Sequence, residues 1–305
     1  MPKREVINKM KHMGYDEFKE RLLGELKERL RKSIRAEIIP VNKNGVIREA
    51  VGMEEGLNEM KPLVYVENLY DQYCIGAALS TCAGFVMGLY KAIPEFHAEQ
   101  YFETWEEVKP KITIRLVNWE WNRDELTEIP YRKYLDLAVY CRIVLGKSED
   151  GIISNVVRKS MLRYWKISES ELWETAKSNF QREEFLIRHI DDEIGYPKRY
   201  LDKFANLHGK KDEAYVLTNE YRNHGASAML RLDILREFAE RMDGDLFILP
   251  SSLNEVILLP DRKDRNPDSL RSLVQKNNRD YAVDEELSEN LYYYRLEKNR
   301  IEVVL

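Results

Sequence analysis

The sequence predicts an α+β protein in which small antiparallel sheets pack with amphipathic helices. Several pairs of short β-prone runs are separated by turn sequences, which is the pattern of β-hairpins. Helical patterns stand between these hairpins in irregular order, without a regular alternation of one strand and one helix. Regular alternation would indicate a parallel α/β sheet, whereas the mixed order is typical of α+β folds.

The first hundred residues begin with an amphipathic helix and a hairpin. Apolar residues recur at helical spacing over 15–32 with charges between them, which predicts the helix. The β-prone runs AEIIPV and VIREAV within 36–53 flank Asn44-Gly45, a pair that favours a tight hairpin turn. The pattern then predicts a strand at 63–66 and helices at 77–92 and 95–108.

Capping and turn residues place the elements of the remaining chain. Ser168 and Glu171 form a capping box that opens a helix ending near residue 179. Gly244 follows a helix predicted at 233–242 and is expected at its C′ position. Asn266-Pro267 marks the start of a later helix, as an N-cap followed by a first-turn proline. The other predicted elements are strands at 112–118, 135–145 and 214–219 and hairpins at 245–260 and 292–305.

The order of the elements predicts two modules. An N-terminal α+β module spans 1–110, and a longer C-terminal α+β module spans 111–305. Within the second, residues 180–209 are polar with few periodic cues, which indicates a connector with short helices. The chain of 305 residues is also about the length at which a single hydrophobic core stops growing.

The composition excludes several classes of protein. A hydrophobic fraction of 44% excludes an intrinsically disordered chain. An apolar stretch such as Leu137–Val144, interrupted by Arg142, is far shorter than the roughly 20 residues of a membrane span. The net charge of −5 is spread along the chain, so no domain-wide positive field is expected to hold nucleic acid. We therefore expect a soluble protein that does not act at a membrane.

The N-terminal segment is the one region with a biased charge. Met1–Arg35 carries 11 basic and 6 acidic residues, which predicts either a nucleic-acid-binding arm or the solvated face of an amphipathic helix. The solvated face is favoured, because charged outer faces are the rule on surface helices. The segment has no apolar run behind its first basic residues, so no signal peptide is predicted. Three widely spaced cysteines without a C-x-x-C pair add the expectation of a reducing, cytoplasmic location.

Motifs spread over nearly the whole chain carry a resemblance to a known family. They are YDEFKERLLGELKERL at 15–30 with a following NGV, LVN at 116–118, IPYRKYLDL at 129–137, the spacing of Trp165, Glu171, Leu172, Ala176 and Asn179, LDILREFAERM at 232–242, ILPSSLNEVILLP at 248–260 and the closing YYYR. With these motifs the chain resembles domain-of-unknown-function family 5688, a bacterial family of clostridia. The resemblance implies a fold and a cytoplasmic bacterial origin but no reaction. One departure is Asn254, where members often carry a histidine, and if that histidine is catalytic this chain lacks it.

A turn with two serines is the candidate catalytic site. Ser251 and Ser252 follow a proline, and either could act as a nucleophile if His224 or Glu255 lies within about 3 Å as its base. The alternative is that the serine hydroxyls satisfy the backbone of a hairpin turn. The chain has no G-x-S-x-G motif, so the structural role is favoured over a hydrolase site.

Two further segments carry weaker candidates. His189, Asp191, Asp192 and Glu193 supply potential metal ligands, but their spacing does not match an EF-hand, and a solvated acidic connector is favoured. The small residues of the His224-Gly225-Ala226 segment would allow either close approach to a ligand or tight packing of strand and helix. Neither a Walker A motif nor G-x-G-x-x-G is present, so no cofactor is predicted.

The leading functional hypothesis is a binding role, because no pattern for a nucleophile, a metal or a nucleotide is favoured over its structural alternative. The chain has 18 Tyr and 5 Trp, residue types that are enriched as anchors of protein interfaces, although core packing accounts for most of them. We therefore expect a non-enzymatic cytoplasmic protein with a protein-interaction or regulatory role, acting through an unidentified protein partner. The alternatives are a hydrolase with its site at the two serines and nucleic-acid binding through the basic N-terminal helix.

Overall fold

The fold is given by a computed structural model that describes residues 13–31, 33–54, 63–92, 104–148, 151–192, 214–262, 265–281 and 283–304. The chain divides into two compact units, Met1–Phe102 and Glu103–Leu305. Within the described ranges, helices are combined with three antiparallel sheets, so the predicted α+β class is confirmed. None of the helices in those ranges has both the length and the apolar composition that a membrane crossing requires.

In the part that the structure describes, the first unit has a three-stranded antiparallel sheet and three helices. Its elements are α1 (Tyr15–Arg29), β1 (Arg35–Lys43), β2 (Val46–Glu54), β3 (Val64–Tyr65), α2 (Val66–Cys74) and α3 (Leu79–Ala92), with the strands in the order β1-β2-β3. Asn44 and Gly45 have φ angles of 54° and 82°, and a two-residue type I′ turn requires such positive values. The hairpin predicted around this pair is therefore confirmed.

One face of α1 forms the centre of the first unit's core. Phe18, Leu22 and Leu26 are four residues apart and fully buried, which places them on one side of the helix. The other buried members of this core come from the sheet and the two later helices: Ala36, Val51, Met53, Val64, Val66, Leu69, Cys82, Ala83 and Val86. The amphipathic helix predicted for 15–32 is confirmed, and it ends at Arg29.

The second unit begins with a four-stranded antiparallel sheet. Its elements are α4 (Trp105–Val108), β4 (Ile112–Asn118), α5 (Arg123–Leu126), β5 (Tyr131–Tyr134), β6 (Leu137–Ser148), β7 (Gly151–Val156), α6 (Lys159–Trp165) and α7 (Glu169–Phe180). The long strand β6 pairs with β4 along one side and with β5 and then β7 along the other. Of the helix predicted at 95–108, only α4 falls within the described residues and is helical.

The capping box predicted before α7 is present in part. The Ser168 hydroxyl accepts a hydrogen bond from the backbone N–H of Glu171 at 3.1 Å, as an N-cap residue should. The Glu171 carboxylate accepts from the indole N–H of Trp105 at 2.7 Å. The glutamate of the motif thereby ties α7 to α4.

A six-stranded antiparallel sheet completes the second unit. Its elements are β8 (Phe185–His189), β9 (Tyr215–Asn219), a 3-10 helix at Gly225–Leu230, α8 (Leu232–Arg241), β10 (Leu246–Ser252), β11 (Glu255–Pro260), α9 (Pro267–Tyr281), β12 (Tyr292–Arg295) and β13 (Arg300–Val303). The strand order is β13-β12-β10-β11-β9-β8. β8 lies in the segment predicted as a connector with short helices, and the difference arises because its apolar Phe-Leu-Ile run pairs with β9.

The central hairpin of this sheet is buried on both faces. Leu246 and Ile248 of β10 pack in the core cluster that contains α8. Phe247 and Leu249, which alternate with them, pack in the cluster that contains residues of α9. Successive side chains of a strand point to opposite faces, so a strand covered on both faces is apolar at every position. This burial explains the continuous apolar runs at 246–250 and 256–260.

α8 ends in a Schellman motif that has aspartate at the left-handed position. Asp243 has a φ angle of 57°, and its N–H donates to the carbonyl of Glu240 at 3.3 Å. The N–H of Gly244 donates to the carbonyl of Ala239 at 3.1 Å, which is the second bond of the motif. Gly244 is therefore at C″, and the prediction of Gly244 at C′ was wrong by one residue because the helix ends at Arg241.

Asp243→Gly is expected to raise the free energy of unfolding of the second unit by about 0.5 kcal/mol. Glycine adopts a positive φ without the steric cost that a Cβ brings. The measurement is urea unfolding followed by tryptophan fluorescence, because all five tryptophans lie in the second unit. Asp268→Gly in the first turn of α9 is the matched control, and it should lower the stability by about 1 kcal/mol. A loss of stability in both variants would contradict the prediction.

A buried charged network holds the chain that follows α7. Arg115, which is 2% exposed, pairs with both carboxylate oxygens of Glu183 at 2.8 and 3.0 Å. The Thr113 hydroxyl donates to the same carboxylate at 2.6 Å. Arg231 donates to the backbone carbonyls of Glu183 and Phe180 at 3.1 and 3.3 Å. Two arginines from separate elements thus fix this segment against β4 and α8.

Candidate functional site

The two serines of the predicted catalytic turn lie at the end of β10. The pairing of β10 with β11 shifts register between Pro250 and Ser252, so Ser251 is the extra residue of a β-bulge. The Ser251 hydroxyl donates to Glu255 Oε1 at 3.0 Å, and Ser252 Oγ accepts from the N–H of Asn254 at 3.0 Å. The fold therefore brings Ser251 and Glu255 together, and it gives Ser252 a backbone-capping contact.

Burial restricts what these groups can do chemically. Ser251, Ser252 and Glu255 are 3%, 1% and 5% exposed. A substrate would reach the Ser251 hydroxyl only if the hairpin separated from the elements packed on it. Ser252 makes the contact of the structural role, in which a hydroxyl satisfies the backbone of the turn, whereas the Ser251 hydroxyl bonds to the Glu255 carboxylate.

His224 joins this turn through its backbone. The residue has a φ of 51°, and its N–H donates to Oδ1 of Asn254 at 3.0 Å. The backbone carbonyl of Asn254 accepts from the Thr218 hydroxyl at 2.6 Å. Asn254 thus links the turn to both the end of β9 and the loop that follows it.

Gly225 is explained by close packing of backbones. A Cβ at this residue would lie 2.3 Å from Thr218 Oγ1, 2.5 Å from the Asn254 carbonyl oxygen and 2.7 Å from the Asn219 nitrogen. The next residue, Ala226, donates its N–H to the carbonyl of Leu253 at 3.2 Å. Of the two roles open for the small-residue segment, the contacts support tight packing.

The acidic segment after β8 brings few ligands together. His189 is the last residue of β8, and its Nδ1 accepts from the N–H of Asp191 at 3.2 Å. Asp191 and Asp192 belong to a single 3-10 turn, and Glu193 lies outside the described residues. Across the described ranges, no group of three or more His, Cys, Asp or Glu side chains is arranged to hold a metal ion.

The charges of the basic N-terminal helix are largely paired where the structure describes them. α1 has four basic and five acidic residues. Arg21 pairs with Glu17 at 2.8 Å, and Arg29 pairs with Glu25. The four basic residues Lys3, Arg4, Lys9 and Lys11 lie outside the described residues, so nucleic-acid binding stays a prediction for that part of the chain.

An apolar surface on α3 is the first feature that the sequence reasoning missed. Cys82, Ala83 and Val86 face the core of the first unit, whereas Phe85 and Leu89 are 56% and 38% exposed. We call the exposed side of this helix the α3 outer face; it consists of Thr81, Gly84, Phe85, Gly88 and Leu89. The signal was present in the sequence, since residues 79–90 contain no charge in a chain that is 33% charged.

A polar cleft in the second unit is the second missed feature. It has a volume of about 500 Å³ and lies where the end of β4, the β5–β6 turn and the chain before β12 meet. We call it the Asp136 cleft. Its lining residues are Asn118, Trp119, Glu120, Trp121, Lys133, Leu135, Asp136, Ser288, Glu289 and Asn290. Its lining residues come from two segments, 118–136 and 288–290, that are more than 150 residues apart in sequence. No local motif could therefore have indicated the cleft.

These features describe an α+β protein of two compact units, with a buried serine turn and two surface features, one apolar and one polar. The chain belongs to the family of unknown function DUF5688, whose profile matches residues 15–296. The resemblance seen in the sequence motifs is thereby confirmed. Neither the comparison with curated proteins nor that with solved structures gives a match.

Proposed function

We propose that the protein is a non-catalytic binding protein and that its α3 outer face receives an apolar helix of a partner protein. The observation that carries the proposal is the exposure of Phe85 and Leu89 on a helix without a charged residue from Leu79 to Tyr90. Surface helices normally carry charged residues on their outer side, and a helix that is apolar all round is normally buried. Contact with the partner protein buries the side chains of Phe85 and Leu89.

The glycines of the α3 outer face support a helical partner. Gly84 and Gly88 are one turn apart, and each glycine within a helix costs about 1 kcal/mol relative to alanine. Among the described residues, a Cβ on Gly88 would meet nothing within 4 Å, and one on Gly84 would meet only Arg29 Nη1 at 4.0 Å. Packing against the described part of the unit thus does not account for either glycine. Small residues at this spacing allow a second helix to approach the backbone closely.

The distribution of exposed apolar side chains favours the first unit as the binding unit. Seven large hydrophobic residues are exposed in the described ranges, and five of them belong to this unit: Ile47, Leu63, Ile75, Phe85 and Leu89. The unit is the smaller of the two, so most of these exposed side chains belong to the shorter part of the chain. Exposed apolar surface of this kind marks interaction sites.

We place this activity in the cytoplasm of a bacterium. Cys74, Cys82 and Cys141 are all free thiols, a state that reducing compartments maintain. Burial raises the pKa of the Cys82 and Cys141 thiols, so both stay protonated and inert at neutral pH. The resemblance to a clostridial family supports the bacterial origin.

The test places a photo-crosslinking benzoylphenylalanine at Phe85 of the full chain in its native host. We expect a crosslink to a partner peptide that has the apolar periodicity of a helix. With that partner purified, Phe85→Glu should weaken binding by at least about tenfold, since it places a charge in an apolar contact. Ile47→Glu is the matched control, because Ile47 is 67% exposed on the β1–β2 hairpin, and it should leave the affinity unchanged.

Three results would overturn the proposal. One is a crosslink only within the chain, and another is a crosslink only to a second copy of it. The third is a fall in melting temperature of several degrees in Phe85→Glu but not in Ile47→Glu. That last result would show that the α3 outer face is already covered within the same chain.

A further inference from the structure

The Asp136 cleft contains a carboxylate that is held in one orientation by neutral donors. Asp136 Oδ2 accepts from the Ser288 hydroxyl at 2.6 Å and from Asn290 Nδ2 at 3.0 Å. Asp136 Oδ1 accepts from the Tyr292 hydroxyl at 2.8 Å. Ser288 and Tyr292 are fully buried, whereas Asp136 is half-buried and lines the cleft. The carboxylate is therefore fixed from the interior and presented to the cavity.

The acceptor capacity of this carboxylate is only partly used. Two carboxylate oxygens offer about four lone-pair positions, and the three donors occupy two on Oδ2 and one on Oδ1. One position on Oδ1 is left for a donor from a ligand. Carboxylate acceptors form the stronger, charge-assisted class of hydrogen bond, so a hydroxyl donor would bind there with a defined direction.

The charges and aromatic rings of the cleft restrict the chemistry of a ligand. Three carboxylates line it, from Glu120, Asp136 and Glu289. The nearby cations are Lys133, which also lines the cleft, and Arg123, which pairs with Glu120 at 3.1 Å. One more carboxylate than cation remains, so an anion is disfavoured. Lys133 Nζ lies 3.5 Å from the centroid of the Trp119 ring, and the Arg123 guanidinium lies 4.6 Å from it. The Trp119 ring is thus occupied by cations of the chain itself and does not offer its face to an organic cation.

A neutral ligand with several hydroxyl groups fits the remaining features. Its hydroxyls can donate to Asp136, and its C–H faces can pack on the half-buried Trp121, a residue that lines the same cavity. The volume of about 500 Å³ lies within the range of small-molecule sites. We propose that the Asp136 cleft binds a neutral saccharide of one or two sugar units, an activity separate from partner binding at α3.

The test is isothermal titration calorimetry of the full chain with four sugars: D-glucose, N-acetyl-D-glucosamine, maltose and cellobiose. Choline chloride and sodium phosphate serve as charged probes. We expect saturable heat from at least one saccharide at millimolar concentration and none from the charged probes. Asp136→Asn should weaken that binding by about tenfold or more, because it removes the charge from the acceptor.

A second variant keeps the test valid if Asp136→Asn fails to fold. Glu289 is exposed at the rim of the cleft, so Glu289→Trp should fill the cavity without disturbing the core and should abolish the saccharide signal. Glu237→Trp, on an exposed side chain of α8 outside the lining set, is the control and should bind as the wild type does. Three outcomes would overturn the proposal: no saturable heat from any of the four sugars, binding of choline or phosphate instead, or saccharide binding that Glu289→Trp leaves intact.

Discussion

Gly225→Ala is expected to lower the free energy of unfolding of the second unit by about 3 kcal/mol or more. The added Cβ would lie 2.3 to 2.7 Å from three atoms, well inside van der Waals contact. Two of those atoms, the Asn254 carbonyl oxygen and the Asn219 nitrogen, belong to backbone, so neither can rotate away as a side chain would. These close contacts are relieved only if the loop that contains Gly225 moves away from the β10–β11 turn.

The measurement for Gly225→Ala is urea unfolding followed by tryptophan fluorescence, which reports on the second unit. Gly244→Ala is the matched control, because a Cβ at Gly244 would meet nothing within 4 Å among the described residues. That variant should change the stability by less than about 1 kcal/mol. Equal losses in the two variants would show that close packing at Gly225 is not the cause.

Arg115→Met is expected to lower the free energy of unfolding by about 3 kcal/mol. The change removes the guanidinium that pairs with both oxygens of the Glu183 carboxylate. The Glu183 side chain is only 18% exposed, so its charge would remain poorly solvated and without this cation. Removal of one partner of a buried pair costs more than the pair contributes, because the other charge is left uncompensated.

The double variant Arg115→Met with Glu183→Met separates this cause from a simple loss of packing. Replacement of a buried pair by apolar side chains is often close to neutral, so the double variant should recover most of the lost stability. Arg241→Met removes one partner of an exposed pair, whose side chains are 65% and 72% exposed, and it should cost about 1 kcal/mol or less. If the double variant loses as much free energy of unfolding as the two single variants together, the uncompensated charge of Glu183 is not the cause.

The elements predicted correctly from the sequence are those that local residues determine. The turn at Asn44-Gly45 needs only the positive φ of two adjacent residues. The start of α9 needs only Asn266, whose side chain accepts from the N–H of Asp268 at 2.8 Å. Hairpins and N-caps of this kind involve neighbours within four residues, so their sequence patterns carry the information.

The elements that were missed depend on distant residues. β8 is a strand because its residues pair with β9, which lies beyond a long polar stretch. Whether Asp243 or Gly244 takes the αL position of the Schellman motif depends on the residue at which α8 ends, and the local sequence does not indicate that residue. The proximity of Ser251 and Glu255, which the sequence left open, follows from the three residues of hairpin turn between them, but their burial depends on the rest of the unit.

The hydrogen bonds that hold the Asp136 carboxylate also bear on the order in which the second unit assembles. The residues that hold this carboxylate lie 152 to 156 positions later in the chain, and β10 obtains its partner β12 from the same late segment. Contacts between residues so far apart carry a large loop-closure entropy and form slowly. During synthesis, β4 to β7 therefore emerge from the ribosome long before residues 288–294 exist to join them to the central hairpin. The six-stranded sheet is therefore completed only when β12 pairs with β10, and until then that edge of β10 is an unpaired strand edge of the kind that promotes aggregation.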